Sequence, residues 1–289
     1  KRIAGITPGG KLTKSFFTNS GTEANETAIL AARVYTGSHE IVALRHSYHG
    51  RSAVAMAATG NATWRLGGAA PSGFVHAINA NCYRCPLDLK YPSCKVQCAR
   101  DMDDMIRTST SGRIAAFIAE PIQGVGGFIV PPKEYFEIVA GIVKKFGGLF
   151  ISDEVQTGWG RTGGKWFGID YIDDNNLMIN AAEVGAYLRG KLEEMKARYP
   201  LIGDVRGMGL MQAIELVEDR ESKKPAAEAT LALMEMAREN RLLIGKGGTF
   251  GNVIRLSPPL NISKGDVDDF ALRLDASFKQ VTQKQMATA

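Results

Sequence analysis

Residues 149–163 read LFISDEVQTGWGRTG, and this stretch decides the fold. The apolar residues 149–151 predict a buried strand that ends at the carboxylates Asp153 and Glu154 and at a glycine-rich turn. Open α/β sheets place their functional residues at the carboxyl ends of the strands. An acid directly after a buried strand is partly desolvated and needs a cationic partner, for which a protonated ring nitrogen would serve. We therefore expect Asp153 to line a ligand pocket.

Segments typical of strands and helices alternate through the first two thirds of the chain. A capping box, Ser20 to Glu23, predicts a helix that runs to about Tyr35 and stops at Gly37, directly after a short apolar run at 16–18 that is read as a strand. Strands separated by helices favour parallel pairing, with helices on both faces of the sheet. Further strands are predicted at 41–44, 74–77, 114–118 and 149–151, with a helix over 135–146.

The pattern changes near residue 177. A long amphipathic helix at 182–198 precedes a glycine-broken strand at 205–214, a helix at 226–239, short strands at 242–244 and 253–256, and a helix after Ser263. The chain is therefore predicted to contain a large α/β domain with a mainly parallel sheet (1–176). A connecting helix and a smaller C-terminal α+β domain follow (177–289).

The composition limits the classes of partner. The 35 Lys and Arg residues exceed the 30 Asp and Glu residues only slightly, and they are scattered, which argues against nucleic-acid binding. No apolar run approaches the roughly 20 residues of a membrane span, and the first residues do not resemble a signal peptide. We expect a cytoplasmic protein that acts on small molecules.

Three further motifs carry candidate binding chemistry. Ser20, Gly21 and Thr22 stand at a predicted helix N-terminus, where free N–H groups and hydroxyls form an anion cradle. Taken alone, this spacing more often marks Ser20 as a helix cap only. Tyr48 follows the strand at 41–44 and can stack on a flat ring, or it is a core aromatic. Glu120 ends a strand before Pro121, as a pocket carboxylate or as a solvated strand-end acid.

Taken together these motifs resemble the class III pyridoxal-phosphate aminotransferases of fold type I. The resemblance spans nearly the whole chain and is closest to the alanine–glyoxylate aminotransferase 2 group, through residues 244–248 and 251–253. The matching signatures are NSGTEAN (19–25), YHG (48–50), EPIQG (120–124), DEVQTG (153–158) and IRLSPPL (254–260).

The resemblance implies the cofactor pyridoxal 5′-phosphate (PLP) and assigns roles to its ligands. Gly21 and Thr22 would hold the phosphate, and Tyr48 and Val155 would cover the two faces of the pyridine ring. Asp153 would pair with the pyridinium nitrogen and act in catalysis by preserving the ring as an electron sink. Gln156 would bind the ring hydroxyl. The implied cofactor-binding residues are Ser20, Gly21, Thr22, Tyr48, Glu120, Asp153, Val155 and Gln156.

The resemblance also implies the substrate. Arg255 would take the substrate carboxylate in a bidentate pair; the alternative is an ordinary strand arginine. Relatives that act on ω-amino groups often carry a glutamate that neutralises this arginine, where this chain has Val125. The implied enzyme is a transaminase, a homodimer or higher homo-oligomer, that moves an amino group from alanine or a β- or ω-amino acid to a small 2-oxo acid such as glyoxylate or pyruvate. Alternatives are an aminomutase, a phospholyase, or an inactive ligand-binding relative.

One family feature has no counterpart. The Schiff-base lysine of these enzymes lies well downstream of the DEVQ motif. In this chain, residues 167–171 are followed directly by residues 172–177, which resemble a helix that the family has far beyond that lysine. Lys165 stands in the wrong context, and Lys191 and Lys196 lie on an amphipathic helix as residues of its solvated face, so none is assigned the catalytic role. The family's N-terminal segment also lacks a counterpart. Either the chain joins ordered segments of a longer enzyme, or it carries a genuine deletion. The strand edges that a deletion would expose favour the first explanation, and an intact mass near 31.2 kDa would contradict it.

All four cysteines fall in one short insert. Their clustering suggests a four-thiolate zinc site, although the second pair has an unusual spacing. Disulfides and free thiols are the alternatives. The candidate zinc ligands are Cys82, Cys85, Cys94 and Cys98.

Overall fold

The computed structural model describes residues 2–7, 12–67, 71–163, 166–168 and 176–288. Contacts between residues divide the chain into two compact units, Lys1–Thr157 and Gly158–Ala289. The domain boundary at 176/177 remains a prediction. Since each unit has its own sheet and core, the two are described separately.

The first unit is built on a four-stranded parallel sheet, as the sequence predicts. Its strands are β1 (Ile41–Leu44), β2 (Phe74–Ala77), β3 (Ala116–Ala119) and β4 (Leu149–Ser152), in the order β2-β1-β3-β4. The observed β3 begins two residues later than predicted. The helices are α1 (Arg2–Ile6), α2 (Gly21–Thr36), α3 (Ala53–Ala58), α4 (Gln97–Ser109) and α5 (Tyr135–Lys145).

Alternate residues of the inner strand β1 enter two different cores, because successive side chains point to opposite faces of a sheet. Val42 and Leu44 pack with residues of α4 and α5. Ile41 and Ala43 pack with residues of α2 and α3. Helices therefore cover both faces of the sheet, and the carboxyl ends of the parallel strands meet at one edge.

The second unit is α+β. An antiparallel sheet in the order β5-β6-β8-β7 packs with three helices around one core. The elements are α6 (Asn176–Arg198), β5 (Ile202–Met208), β6 (Met211–Leu216), α7 (Ala227–Glu239), β7 (Gly245–Gly247), β8 (Val253–Leu256) and α8 (Lys264–Thr288).

Three strand predictions are wrong. No strand forms at 16–18, where Phe16 is 79% exposed, because the run has no neighbouring strand to pair with. The broken strand at 205–214 is a hairpin, since Gly209 adopts a positive φ of 54° that turns the chain back. The strand expected at 242–244 forms instead at Gly245–Gly247. Among the described residues, no helix is long and apolar enough to cross a membrane.

Candidate active site

Asp153 is the centre of a buried hydrogen-bond network at the carboxyl edge of the parallel sheet. It follows β4, is 5% exposed, and its backbone N–H donates to the carbonyl of Ala119 at the end of β3. Its Oδ2 accepts from Asn25 Nδ2 at 2.8 Å and contacts His49 Nδ1 at 2.8 Å, while its Oδ1 accepts from the N–H of Val155 at 3.1 Å. Burial alone would raise the pKa of Asp153, but the hydrogen bonds from His49 and Asn25 hold it below its usual value. The carboxylate is therefore ionised.

His49 supports this charge. Because an ionised carboxylate only accepts hydrogen bonds, the His49 Nδ1 that faces it is the protonated ring nitrogen. The His49 Nε2 is buried and has no hydrogen-bond partner within the described part of the chain. Asn25 links the same loop to α2, since its Nδ2 also donates to the carbonyl of His49 at 2.9 Å. Three segments far apart in sequence thus converge on one acid.

Glu120 joins the loops that follow β1 and β3. Its Oε2 accepts from the N–H of Tyr48 at 3.1 Å and its Oε1 from the N–H of Gly124 at 3.0 Å. Burial raises the pKa of Glu120 to about 7, with His49 lowering it and Asp153 adding to the rise. Both carboxyl oxygens therefore position backbone, and a direct cofactor contact by Glu120 stays a prediction.

The N-terminus of α2 lies in the same unit and has the predicted cap. The Ser20 hydroxyl accepts from the N–H of Glu23 at 3.2 Å, and the Glu23 carboxylate accepts from the N–H of Asn19 at 2.8 Å. The Glu23 and Ala24 N–H groups bond to Ser20, which leaves those of Gly21 and Thr22 without an intrahelical acceptor. A helix end in this state can bind an anion.

Close contacts connect several of the remaining predicted residues with their neighbours. A Cβ on Gly21 would lie 2.5 Å from Val155 Cγ2, so the helix end and the loop after β4 approach as closely as glycine allows. A Cβ on Gly124 would lie 2.2 Å from Gln156 Oε1, so the EPIQG segment contacts the DEVQ segment. Tyr48 is half-buried, edge-on to Trp64 with ring centroids 5.4 Å apart.

Arg255 lies in the second unit. It occupies the inner strand β8, opposite Ala213 of β6 and Gly245 of β7, and is half-buried. Val125 is buried in the first unit. The substrate role of Arg255 stays a prediction.

The sequence motifs contain Asn25 and His49 but do not mark either residue as part of the site. Asn25 shares the buried face of α2 with Ile29 and Ala32. A polar residue at this helical spacing on an apolar face is the signal that could have identified it. For His49 no such signal exists, because its partner lies 104 positions away.

Two further predictions concern the candidate lysines and the zinc site. Lys191 pairs with Asp268 at 3.2 Å, and Lys165 lies outside the described residues. All four cysteines are free thiols. In the described ranges no group of three or more His, Cys, Asp or Glu side chains is arranged to hold a metal ion, so the zinc interpretation is not supported.

Comparison with protein families agrees with this geometry. The family model "Aminotransferase class-III" matches residues 1–176 and again 167–278. The chain belongs to the class III aminotransferases. Enzymes of this family use PLP, and this chain is a class III aminotransferase with the fold type I architecture.

Curated relatives give the same family. Over 329 aligned residues, which cover 94% of this chain and 68% of the relative, the chain is 38% identical to "Alanine--glyoxylate aminotransferase 2 homolog 2, mitochondrial" of Arabidopsis thaliana. It is 31% identical to "Leucine/methionine racemase" of Thermococcus litoralis, over 93% of this chain and 74% of the relative.

Solved structures show the same fold. A Bacillus anthracis aminotransferase superposes with a TM-score of 0.85 at 30% identity, covering 92% of this chain and 76% of that one. An amine transaminase from an uncultivated Pseudomonas species, in its PLP-bound form, superposes with a TM-score of 0.83 at 28% identity, covering 91% and 76%.

Two features of these matches concern the interior of the chain. The family model matches in two pieces that overlap at 167–176. This is the stretch where the sequence passes directly from one family segment to a much later one. The alignment with the Arabidopsis relative is longer than this 289-residue chain, so the relative has several dozen residues with no counterpart here. An internal segment of the family is therefore absent from this sequence.

Proposed function

We propose that this chain moves an amino group from alanine, or from a β- or ω-amino acid, to a small 2-oxo acid such as glyoxylate or pyruvate. The observation that carries the proposal is the ionised, buried Asp153 at the carboxyl edge of the parallel sheet. The choice of substrates is supported by the 38% identity to a protein named alanine–glyoxylate aminotransferase 2 homolog.

The described residues fit the non-covalent contacts of PLP. A carboxylate has about four acceptor positions, and protein donors take three of those on Asp153, which leaves one for a pyridinium N–H. The N–H groups of Gly21 and Thr22, which have no acceptor within α2, suit a phosphate. We assign the phosphate to Ser20, Gly21 and Thr22, the ring faces to Tyr48 and Val155, and the ring hydroxyl to Gln156.

Bound PLP supplies an electron sink when a proton leaves the substrate Cα. The protein residues keep that sink in its reactive form. Asp153 holds a proton on the ring nitrogen, because its negative charge favours the cationic ring. Asn25 and His49 keep Asp153 ionised and fix its orientation, and Glu120 holds the Tyr48 loop against the Gly124 loop.

Arg255 is the proposed carboxylate-binding residue. A guanidinium presents two parallel donors to a carboxylate, which lysine cannot do. Arg255→Lys should therefore raise the KM for alanine about 10- to 100-fold. The matched control is an amino donor without a carboxylate, whose KM should stay nearly constant. An equal loss for both donors would contradict the assignment.

Product analysis tests the reaction itself. With alanine and glyoxylate as substrates we expect equimolar pyruvate and glycine. A specific observation favours one other reaction, since a relative at 31% identity is named a racemase. Formation of the opposite alanine enantiomer without an acceptor would replace transfer by racemisation. An aminomutase or phospholyase would show neither product pair.

The Schiff-base lysine sets a condition on this proposal, because no lysine of this sequence stands in the family's context. An intact mass of the purified protein near 31.2 kDa would establish a genuine deletion. We then expect PLP binding without transamination, which is the inactive ligand-binding alternative. A larger mass would indicate a longer enzyme, and peptide mapping of the added residues would then show whether the lysine is among them.

Two wider predictions belong to the same proposal. We place the enzyme in the cytoplasm as a homodimer or higher homo-oligomer, although the Arabidopsis relative is named mitochondrial. Subcellular fractionation checks the first prediction, and light scattering coupled to size-exclusion chromatography checks the second.

A further inference from the structure

The four cysteines of the insert surround one small cavity in the first unit. The cavity measures about 20 Å³, which is room for little more than a single water molecule. Its other lining residues are mostly apolar and include Leu87, Val96 and Pro132. The space is too small for an organic ligand. The thiols that line it are Cys82, Cys85, Cys94 and Cys98.

The surroundings of the thiols distinguish them. Cys82 is the exposed member, whereas the other three are half-buried. Burial raises the pKa of Cys82, and the neighbouring Cys94 and Cys85 thiols raise it further, in that order. Cys98 lies on α4 against the buried core, and burial raises its pKa to about 11. Because Cys82 is the exposed thiol, an oxidant reaches it first, whereas burial keeps the Cys98 thiol protonated.

The segment between Cys94 and Cys98 has an unusual backbone. Lys95 and Val96 adopt consecutive positive φ angles of 50° and 55°, and Val96 is buried. The left-handed region is unfavourable for a β-branched residue and persists only where the surrounding structure enforces it. The N–H of Lys95 bonds to the carbonyl of Pro92 and that of Gln97 to the carbonyl of Cys94. Cys94, which precedes this strained pair, lines the same cavity as Cys82.

We propose that Cys82 and Cys94 form a reversible disulfide when a small-molecule disulfide accepts their electrons. The Cys82 thiolate attacks one sulfur of the oxidant, which gives a mixed disulfide and releases one small thiolate. The Cys94 thiolate then attacks the Cys82 sulfur and displaces the second small thiol. The two cysteines lose two protons and two electrons, and the oxidant is reduced to two thiols.

The test is a redox titration of the purified full chain with oxidised and reduced glutathione, followed by counting of alkylated thiols. Wild type should fall from four reactive thiols to two without retaining glutathione. Trypsin cleaves after Arg84, Lys90, Lys95 and Arg100, which puts each cysteine in a separate peptide. Mass spectrometry should therefore find the Cys82 peptide joined to the peptide 91–95.

Two matched variants complete the test. Cys85→Ser should fall from three reactive thiols to one, as a disulfide between Cys82 and Cys94 requires. Cys94→Ser should instead retain glutathione on Cys82. The proposal is overturned if wild type keeps four reactive thiols or a stable glutathione adduct, or if the joined peptides are a different pair. One bound zinc per chain that protects all four thiols would also overturn it. The peptide map of wild type decides the pairing even if a variant misfolds.

Discussion

Asp153 in the first unit and Asp268 in the second are both acids that accept hydrogen bonds from neighbours, yet their surroundings differ. Asp153 is 5% exposed and is held by Asn25, His49 and the Val155 backbone. The Asp268 side chain is 48% exposed, accepts from the Tyr187 hydroxyl at 2.7 Å, and pairs with Lys191. The pKa of both acids is lowered. For Asp268 the contacts with Tyr187 and Lys191 lower it, and for Asp153 the hydrogen bonds from His49 and Asn25 lower it against the opposite effect of burial.

This difference shows that burial, and not the number of contacts, determines how much an acidic side chain contributes to the stability of the fold. Water competes for the partners of Asp268, so its contacts add little to the stability of the fold. No water competes for those of Asp153, so the loss of one partner leaves the others unsatisfied in the core.

Asp153→Ala should have the largest effect. The substitution removes the acceptor of His49 Nδ1 and one of the two acceptors of Asn25 Nδ2, in a buried site. We expect the free energy of unfolding to fall by about 3–5 kcal/mol, measured by urea denaturation at pH 7. A loss below about 1 kcal/mol would show that the network does not stabilise the first unit and would remove the contrast with Asp268.

Glu120→Gln should change the pH dependence of stability. The pKa of Glu120 is about 7 in the folded protein against 4.5 for an unperturbed side chain. The folded state therefore binds the proton more tightly, and wild type loses about 3 kcal/mol of stability as the pH rises from 4.5 through 7.

The glutamine variant should lack this slope. Urea titrations of both proteins at several pH values between 4.5 and 8 measure it, and the slope rather than the absolute stability is compared. Parallel curves for the two proteins would contradict the burial argument.

Ser20→Ala should have a smaller effect. The hydroxyl satisfies one N–H at the N-terminus of α2, where water can partly replace it because Ser20 is exposed. We expect a loss of about 1 kcal/mol in thermal or urea unfolding. Ser20→Asn, which keeps a capping oxygen, is the matched control and should retain most of the stability. If both variants lose equally, the cap is not the cause.

Asp268→Asn should have the smallest effect. The pair with Lys191 lies on the surface, where solvent and salt screen the charges. The urea midpoint should stay within experimental error of wild type at physiological ionic strength. A clear shift, and one that persists in high salt, would mean that exposure does not separate the two acids.

Much of the first unit could be predicted from sequence periodicity. β1 and β2 form at the predicted residues, and β4 begins as predicted, because short runs rich in β-branched and aromatic residues between helices favour strands. The hairpin of β5 and β6 could not be predicted in this way, since residues 205–214 have the pattern of a single strand. Only the structure shows that the chain reverses at Gly209. The convergence of Asn25 and His49 on Asp153 also required the structure, because a local pattern does not report contacts over 104 to 128 positions.

The sequence by itself determined the family, since five ordered motifs and the alternation of strands and helices can be recognised from local stretches of the amino-acid sequence. It also determined that Asp153 stands directly after a strand. The prediction that this strand is buried is wrong, because β4 lies at the edge of the sheet and Leu149 is exposed. Only the tertiary structure decided the charge of that acid and the contrasting pKa of Glu120 near 7. The physical reason is that a pKa depends on desolvation and on hydrogen-bond donors, and both come from segments that are distant in sequence until the chain folds.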